Sequence, residues 1–328
     1  MKNTVLIAAC LVIPTVGRRA RLMQTLRSVL AQDVLPSQIV VVDGSAVAWR
    51  WAELAGELGH LLPESVELVV EAANCRGAGV QRNQAVDRSC HPFVWFLDDD
   101  VDLEPGCFNA LWQAMEEDHR LGGCNAVITN QRYSPPGRAM RRLLSWLGCP
   151  PAGSLAGLCR GPALNFLPTD DASDGNERAE WLNTTCTLYR REALPDPPFL
   201  SFFHGYSLME DLALSLEVGK RWNLRSVPGS RIYHDTGQAD YKSRVATRQA
   251  MEVANRWFVS CRVMGCPPLE LLYRLLLLQG IGLLAQLSTP RRWTSLPGWC
   301  FGTYSGLWRI VRHGRSWKAY TQEPCPKP

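Results

Sequence analysis

Three aspartates in a row, Asp98-Asp99-Asp100, end the apolar run Phe93–Leu97. Adjacent carboxylates repel one another and are costly to gather unless a cation compensates them. An Asp-x-Asp at a strand end aims alternate side chains the same way, so Asp98 and Asp100 can face one ion. Mg²⁺ and Mn²⁺ prefer oxygen ligands, typically one or two carboxylates with substrate phosphates. The plainer alternative is a solvated acidic turn capping the next helix, and the apolar strand ahead weighs against it. Asp100 and Asp102 form a second Asp-x-Asp, so the register of the pair is open.

Other polar clusters carry less on their own. Asp43-Gly44-Ser45 is a common turn type, and its functional reading is an aspartate that hydrogen-bonds a base or ribose. In Asn74-Cys75-Arg76-Gly77-Ala78-Gly79, followed by Arg82-Asn83, the glycines permit close backbone approach to a ligand. Arg82 could there meet a base or phosphate. Glu210-Asp211 follows the aromatic loop Phe202–Tyr206. Acidic residues in a first helical turn suit the helix dipole, and a general base at the rim of a site is the alternative. His234 follows a short strand and could complete a metal shell.

These residues need a scaffold. Val5–Ile13 reads as a strand buried on both faces. Arg21–Ala31 has helical spacing, Ile39–Val42 is a second strand, Trp49–Leu62 a helix and Val66–Val70 a third strand. Gly79–Asp87 suits a helix, Phe93–Leu97 a fourth strand, and Phe108, Leu111, Trp112 and Met115 mark the next helix. Such alternation predicts an α/β fold, a mostly parallel sheet flanked by helices on both faces. Ligands then bind outside the carboxyl ends of the strands, where Pro14-Thr15, Asp43–Ser45 and Asp98–Asp100 would meet. Residues 130–180 are broken by Pro and Gly pairs, and a loop this long is usually functional or mobile. Thr184–Tyr189 reads as a strand, Leu208–Glu217 as a helix, Arg231–Tyr233 as a short strand, and Arg248–Val263 and Leu269–Leu287 as helices.

Of 328 residues, 240–328 hold thirteen Lys and Arg against four Asp and Glu, although the whole chain is only +4. A basic tail beside a mildly acidic body points to an anionic surface. Leu269–Leu287 has an apolar part of about 13 residues, against the ~20 that a transmembrane span needs, so an interfacial or buried helix fits better. The 12 cysteines include no Cys-x-x-Cys, which argues against a zinc site, and they read as reduced and cytosolic. Thr4–Ile13 reads as a buried strand in preference to a signal peptide.

Val12-Ile13-Pro14-Thr15 with Arg18, Val41-Val42-Asp43-Gly44-Ser45, Asn74-x-x-Gly77 with Arg82-Asn83, Leu97–Asp100 and Glu210-Asp211-Leu212 occur in the order seen in family 2 glycosyltransferases of the GT-A fold. The resemblance covers roughly residues 5–236. It implies a GT-A Rossmann-like domain over 1–238, with a nucleotide-binding half 1–120 and an acceptor half 121–238, then a basic helical region 239–328. It also implies inverting transfer from a nucleoside-diphosphate sugar, UDP- or dTDP-linked, with Mg²⁺ or Mn²⁺. By position, Pro14, Thr15, Asp43, Asn74, Arg82, Asp98 and Asp99 would hold the nucleotide diphosphate. Asp98 and Asp100, with His234, would hold the metal. Asp211 would be the base, and Trp181 and Glu210 would meet the acceptor. Three features depart from the family's usual pattern: the single Asp43, Val16-Gly17 after Pro-Thr, and the segment Trp181–Cys186. The expected acceptor is a glycan or lipid-linked hydroxyl in cell-envelope polysaccharide synthesis, at the inner face of the membrane in the cytoplasm, with no nucleic acid partner. Two alternatives are a sugar-nucleotide pyrophosphorylase, which gives Asp211 no role, and a non-enzymatic membrane-surface module.

Overall fold

The computed structural model describes residues 4–47, 50–131, 142, 146, 178–203, 208–235 and 245–313. Most of the Pro- and Gly-broken segment 130–180, and residues 204–207, lie outside them, and with them the expectation that this long loop is functional or mobile. Strand β1 (Val5–Thr15) is flanked on one side by β2 (Val34–Asp43) and β3 (Glu67–Ala72), and on the other by β4 (Phe93–Leu97), all parallel. The sheet then changes character. β5 (Val101–Leu103), β6 (Leu121–Ile128), β7 (Arg178–Ala179), β8 (Cys186–Arg190) and β9 (Asn223–His234) complete it in the order β3-β2-β1-β4-β8-β6-β9-β5, with β7 also on β9. β8 runs antiparallel to β4 and β6, β6 and β9 are parallel, and β5 and β7 are antiparallel to β9. The parallel pairings expected from the sequence thus dominate the first half, and the second half is mixed.

Period-two alternation divides the strands between two cores, because successive strand side chains face opposite sides of the sheet. On β1, Cys10 and Val12 face one core while Ala9, Leu11 and Ile13 face the other. Val94 and Phe96 of β4 likewise oppose Trp95 and Leu97. Helices α1 (Arg19–Leu30), α2 (Trp51–Leu58) and α4 (Cys107–Glu117) cover the second core, where the ring centroids of Trp95 and Phe108 are 3.7 Å apart. Helices α3 (Ala78–Val86) and α5 (Glu210–Val218) cover the first. So do α6 (Val245–Phe258), the π-helical turn Val259–Val263 and α7 (Pro268–Leu287), through residues such as Val253, Phe258 and Leu271. Phe202 stacks on Phe258 at 3.8 Å, so the helices after β9 extend the sheet's own core.

Strand β6 has no counterpart in the sequence reading. Its Gly122-Gly123 reads as a break, but both are places where another group comes close. A Cβ on Gly122 would lie 2.4 Å from Trp222 Cβ, and one on Gly123 would lie 2.5 Å from the Tyr189 ring. Helix α8 (Leu296–His313) lies in the expected helical region 239–328, but its bounds were not given by the sequence. Its Gly302 and Gly306 let it lie directly on α6, since added Cβ atoms would meet Ala246 O at 2.4 Å and Val253 Cβ at 2.6 Å. Cys75 is disulfide-bonded, which departs from the reading of every cysteine as reduced, whereas Cys10, Cys107, Cys124 and Cys186 are buried free thiols.

Candidate active site

The parallel strands deliver their carboxyl ends to one edge, and three short devices shape it. The first is the turn after β2. Asp43 accepts from the Ser45 amide at 2.9 Å and the Ser45 hydroxyl at 2.5 Å. Gln81, in the first turns of α3, donates to Thr15 O at 3.0 Å and Val42 O at 2.7 Å, while its own oxygen accepts from Gly77 N. One buried amide thus ties β1, β2 and the glycine turn together. Nothing in the sequence pattern singled it out.

The second device is the aspartate turn. Asp98 N donates to Thr185 O of the segment entering β8, and Thr25 of α1 bonds both Asp99 O and Val101 N. The chain then re-enters the sheet as β5, whose register pairs Val101 with His234. The third device is a bulge in β9. Ala126 pairs with Val227, but Val127 pairs with Arg231, so Pro228-Gly229-Ser230 are looped out. Bulges bend and re-aim a strand, and here the strand end turns toward Asp100. The sequence reading found only the part of β9 beyond the bulge.

Consequently His234 Nε2 lies 3.1 Å from Asp100 Oδ1, and Gln131 Nε2 lies 3.0 Å from its Nδ1. One ligand atom each from Asp98, Asp100 and His234 fall within 4.8 Å of one another. Asp102 is elsewhere, 3.3 Å from Arg21 and 3.0 Å from Gln24. Of the two Asp-x-Asp pairs, Asp98 and Asp100 are the ones gathered with His234. Two carboxylates and an imidazole converging at this spacing fit a divalent cation.

The carboxylates are ordered by arginines. Arg18 bonds Asp99 and, at 2.6 Å, Asp100 Oδ2; its side chain is 45% exposed and approaches from solvent. Burial alone would raise the Asp100 pKa, but His234 and Arg18 outweigh it and hold the group below the usual range. Asp99 lies underneath at 1% exposure, accepts from Thr15 Oγ1 at 2.5 Å, and burial pushes it up to about 6 against the pull of Arg18. On the other side, Arg82 is 3% exposed, bonds Asp98 at 2.6 Å and pairs with Glu210. Burial opposes its charge, yet Asp98 and Glu210 more than compensate, and it stays firmly protonated.

Asp211 follows Glu210 on α5, whose N-cap Met209 has a left-handed φ of 74°. Such a conformation is costly for a residue with a side chain and tends to persist at functional sites. Burial first, then the charge of Glu210, raise the Asp211 pKa to about 7, against a hydrogen bond from Leu212 N and the attraction of Arg82. The layer holds a cation-sized cluster, a carboxyl poised near neutrality, and an arginine between them.

The sequence pattern of glycosyl transferase family 2 matches residues 10–194, more than half of the chain. The chain belongs to that family. Its GT-A fold is shared with S. aureus TarS 1-349 in complex with UDP-GlcNAc, at TM-score 0.54 and 15% identity over 90% of this chain and 79% of that one. It is shared equally with the mannosyltransferase PcManGT from Pyrobaculum calidifontis in complex with GDP-Man and Mn²⁺, at TM-score 0.54 and 14% identity over 98% and 85%. Among curated proteins no match is found.

In this glycosyltransferase the expected site residues occupy different settings. Arg82 faces the carboxylates of Asp98 and Glu210. Asp99 is turned into the interior, and Thr15 commits its hydroxyl to it. Pro14 is buried within β1, Asp43 is buried in its own turn, and Asn74 is exposed at the edge. Glu210 is buried on Arg82, and Trp181 packs in the core below α5. Asp98, Asp100 and His234 do converge. Arg18, part of the family pattern but given no role from sequence, is the cation that reaches the carboxylates from solvent.

Proposed function

We propose that the protein is an inverting transferase that moves a sugar from a UDP- or dTDP-linked donor to a hydroxyl of a glycan or lipid-linked acceptor. The observation that supports this most directly is the separation of two carboxylate functions. Asp98 and Asp100 with His234 form one group, and Asp211, with its pKa near 7, forms another across the Arg82–Glu210 pair. A general base works best when its pKa lies near the working pH. In the family as a whole the donor is a nucleotide sugar, and the two neighbours above hold UDP-GlcNAc and GDP-Man.

Asp211 accepts the proton of the acceptor hydroxyl. That oxygen bonds to the anomeric carbon, while the bond from this carbon to the diphosphate oxygen breaks on the opposite face and its electron pair leaves with the nucleoside diphosphate. Asp98, Asp100 and His234 are the residues that would hold Mn²⁺ or Mg²⁺, which when bound neutralises charge growing on the leaving group. Arg82 fixes Asp98 and Glu210 in place and limits the repulsion that Asp211 feels. Arg18, exposed on its outer side, can exchange Asp100 for the donor diphosphate, to which a guanidinium offers paired donors. We place the reaction in cell-envelope polysaccharide assembly, in the cytoplasm at the inner face of the membrane, with no nucleic acid partner. Free thiols at most of the described cysteines suit that reducing compartment.

Calorimetric titration with UDP and with dTDP, each with and without Mn²⁺, tests the donor site. Metal-dependent binding of one nucleotide, lost in Asp100→Ala, is expected. A folded protein that binds neither nucleotide in the presence of Mn²⁺ would defeat the reading.

A further inference from the structure

Helix α7 is 20 residues long and apolar enough to cross a membrane by length and composition. It does not have the symmetry of a spanning helix. At 3.6 residues per turn, Leu269, Leu272, Leu276, Leu283, Leu284 and Leu287 fall within about 60° of one line. All six are exposed, Leu269 at 84% and Leu284 at 68%. The opposite side belongs to the protein. Leu271 and Leu275 are in the core, Gln279 accepts from Gln249 of α6 at 2.8 Å, and Gly282 sits against the Trp299 ring of α8. A helix fixed along one face and apolar along the other is built to lie against a surface.

Helix α8 repeats the arrangement. Its glycine side lies on α6, and Phe301, Tyr304, Trp308 and Val311 are exposed at 55% or more. The connection Pro290–Ser295 carries exposed Arg291, Arg292 and Trp293. From Val245 to His313 there are eight arginines, no lysine, and two acidic residues, Glu252 and Glu270. Two copies meeting through this region would bring two arginine-rich surfaces together, a like-charge contact that costs affinity. An anionic bilayer offers apolar depth and complementary charge together. Tryptophan and tyrosine also favour the boundary between headgroups and acyl chains.

We propose that α7 and α8 dock this enzyme in the plane of an anionic lipid surface, the α7 leucine stripe entering the acyl boundary and Arg291 and Arg292 meeting headgroups. This rests on the helices alone and does not depend on the donor site. The test is flotation of the full chain with phosphatidylcholine vesicles, alone or containing phosphatidylglycerol. Nucleotide binding and circular dichroism serve as controls for folding, so loss of the transferase reading would be visible separately. The wild type should float with anionic vesicles. Leu276→Glu with Leu284→Glu should lose about 100-fold in partitioning through buried leucine area. Arg291→Ala with Arg292→Ala should lose about tenfold, only on the anionic vesicles. The proposal is overturned if the wild type does not float, or if the double glutamate variant floats as well as the wild type. It is equally overturned if the stripe proves to hold a dimer, seen as self-association in sedimentation that the glutamates abolish without any vesicle binding.

Discussion

The carboxyl edge of the sheet and the outer face of α7 depart from ordinary surface chemistry in opposite directions. At the edge, Asp99, Asp100, Arg82 and Glu210 are charged groups taken out of water. On α7, leucines are left in it. The edge compensates its charges internally, because each carboxylate faces an arginine, a hydroxyl or an imidazole. The leucine stripe has no such compensation within the described residues. Buried charge held by partners is a device for positioning groups, whereas exposed apolar area of this extent marks a surface that another phase covers. Substitutions in the two regions should therefore differ in kind, the first altering chemistry and folding, the second altering neither.

The largest effect is expected at Asp211, the proposed base. Asp211→Asn should lower turnover about 10²- to 10⁴-fold, as removal of a general base does, while metal-dependent nucleotide binding is kept. Loss of nucleotide binding in that variant would show instead that Asp211 supports the donor site. The pH profile sharpens the point. The base must be deprotonated, so kcat/KM should rise with a midpoint near pH 7, where the Asp211 pKa is placed. For stability the sign is opposite. Its folded pKa lies above the unfolded value, so the native state binds more protons between about pH 4 and 7. The favourable contribution is complete at low pH and is lost as pH rises through 7. Asp211→Asn should therefore raise Tm at pH 8 and leave it little changed near pH 4, measured by scanning calorimetry.

Arg82→Met should come next, as a loss of stability. Removing one partner of a buried ion pair leaves uncompensated charge and costs about 3–5 kcal/mol, here for both Asp98 and Glu210. A variant as stable as the wild type in urea unfolding would break the claim that the edge is organised by internal pairing. Gly302→Ala should cost about 1–3 kcal/mol by overpacking, since the new methyl would meet Ala246 O and Gln249 Cβ. A smaller effect would mean that α8 rests loosely on α6. The smallest effect is expected on the stripe. Leu284→Glu should change stability by no more than about 0.5 kcal/mol, as exposed substitutions do. A large loss would show that another part of the molecule covers the stripe.

The sequence was legible where one physical signal dominated. Phe93–Leu97 coincides with β4 because five apolar residues end at three carboxylates, and no other element accommodates that boundary. The strands β1 and β2 extend past the expected Val5–Ile13 and Ile39–Val42, because a buried sheet accepts Pro14 and the polar Ser37-Gln38 when neighbouring strands pair with them. Other elements were hidden by glycine. β6 and the inner face of α8 use it for close approach, and a missing side chain reads locally as a break. β5 has only three residues, too few to show a period.

Residue types and order alone fixed the family, the alternating α/β core, the aspartate cluster and the basic, leucine-rich end of the chain, since each depends on local pattern or composition. Partnership was decided by tertiary structure. Arg18 and Arg82 are equally capable of meeting a phosphate or a carboxylate, and only their positions relative to the aspartate turn assign them. His234 joins Asp98 and Asp100 because β5 pairs with the end of β9 beyond a bulge, a register written more than 100 residues away from the aspartates. Whether a leucine stripe is core or surface is likewise invisible in its spacing, because the same period serves both, and only the packing of α6 and α8 shows which face of α7 is left outside.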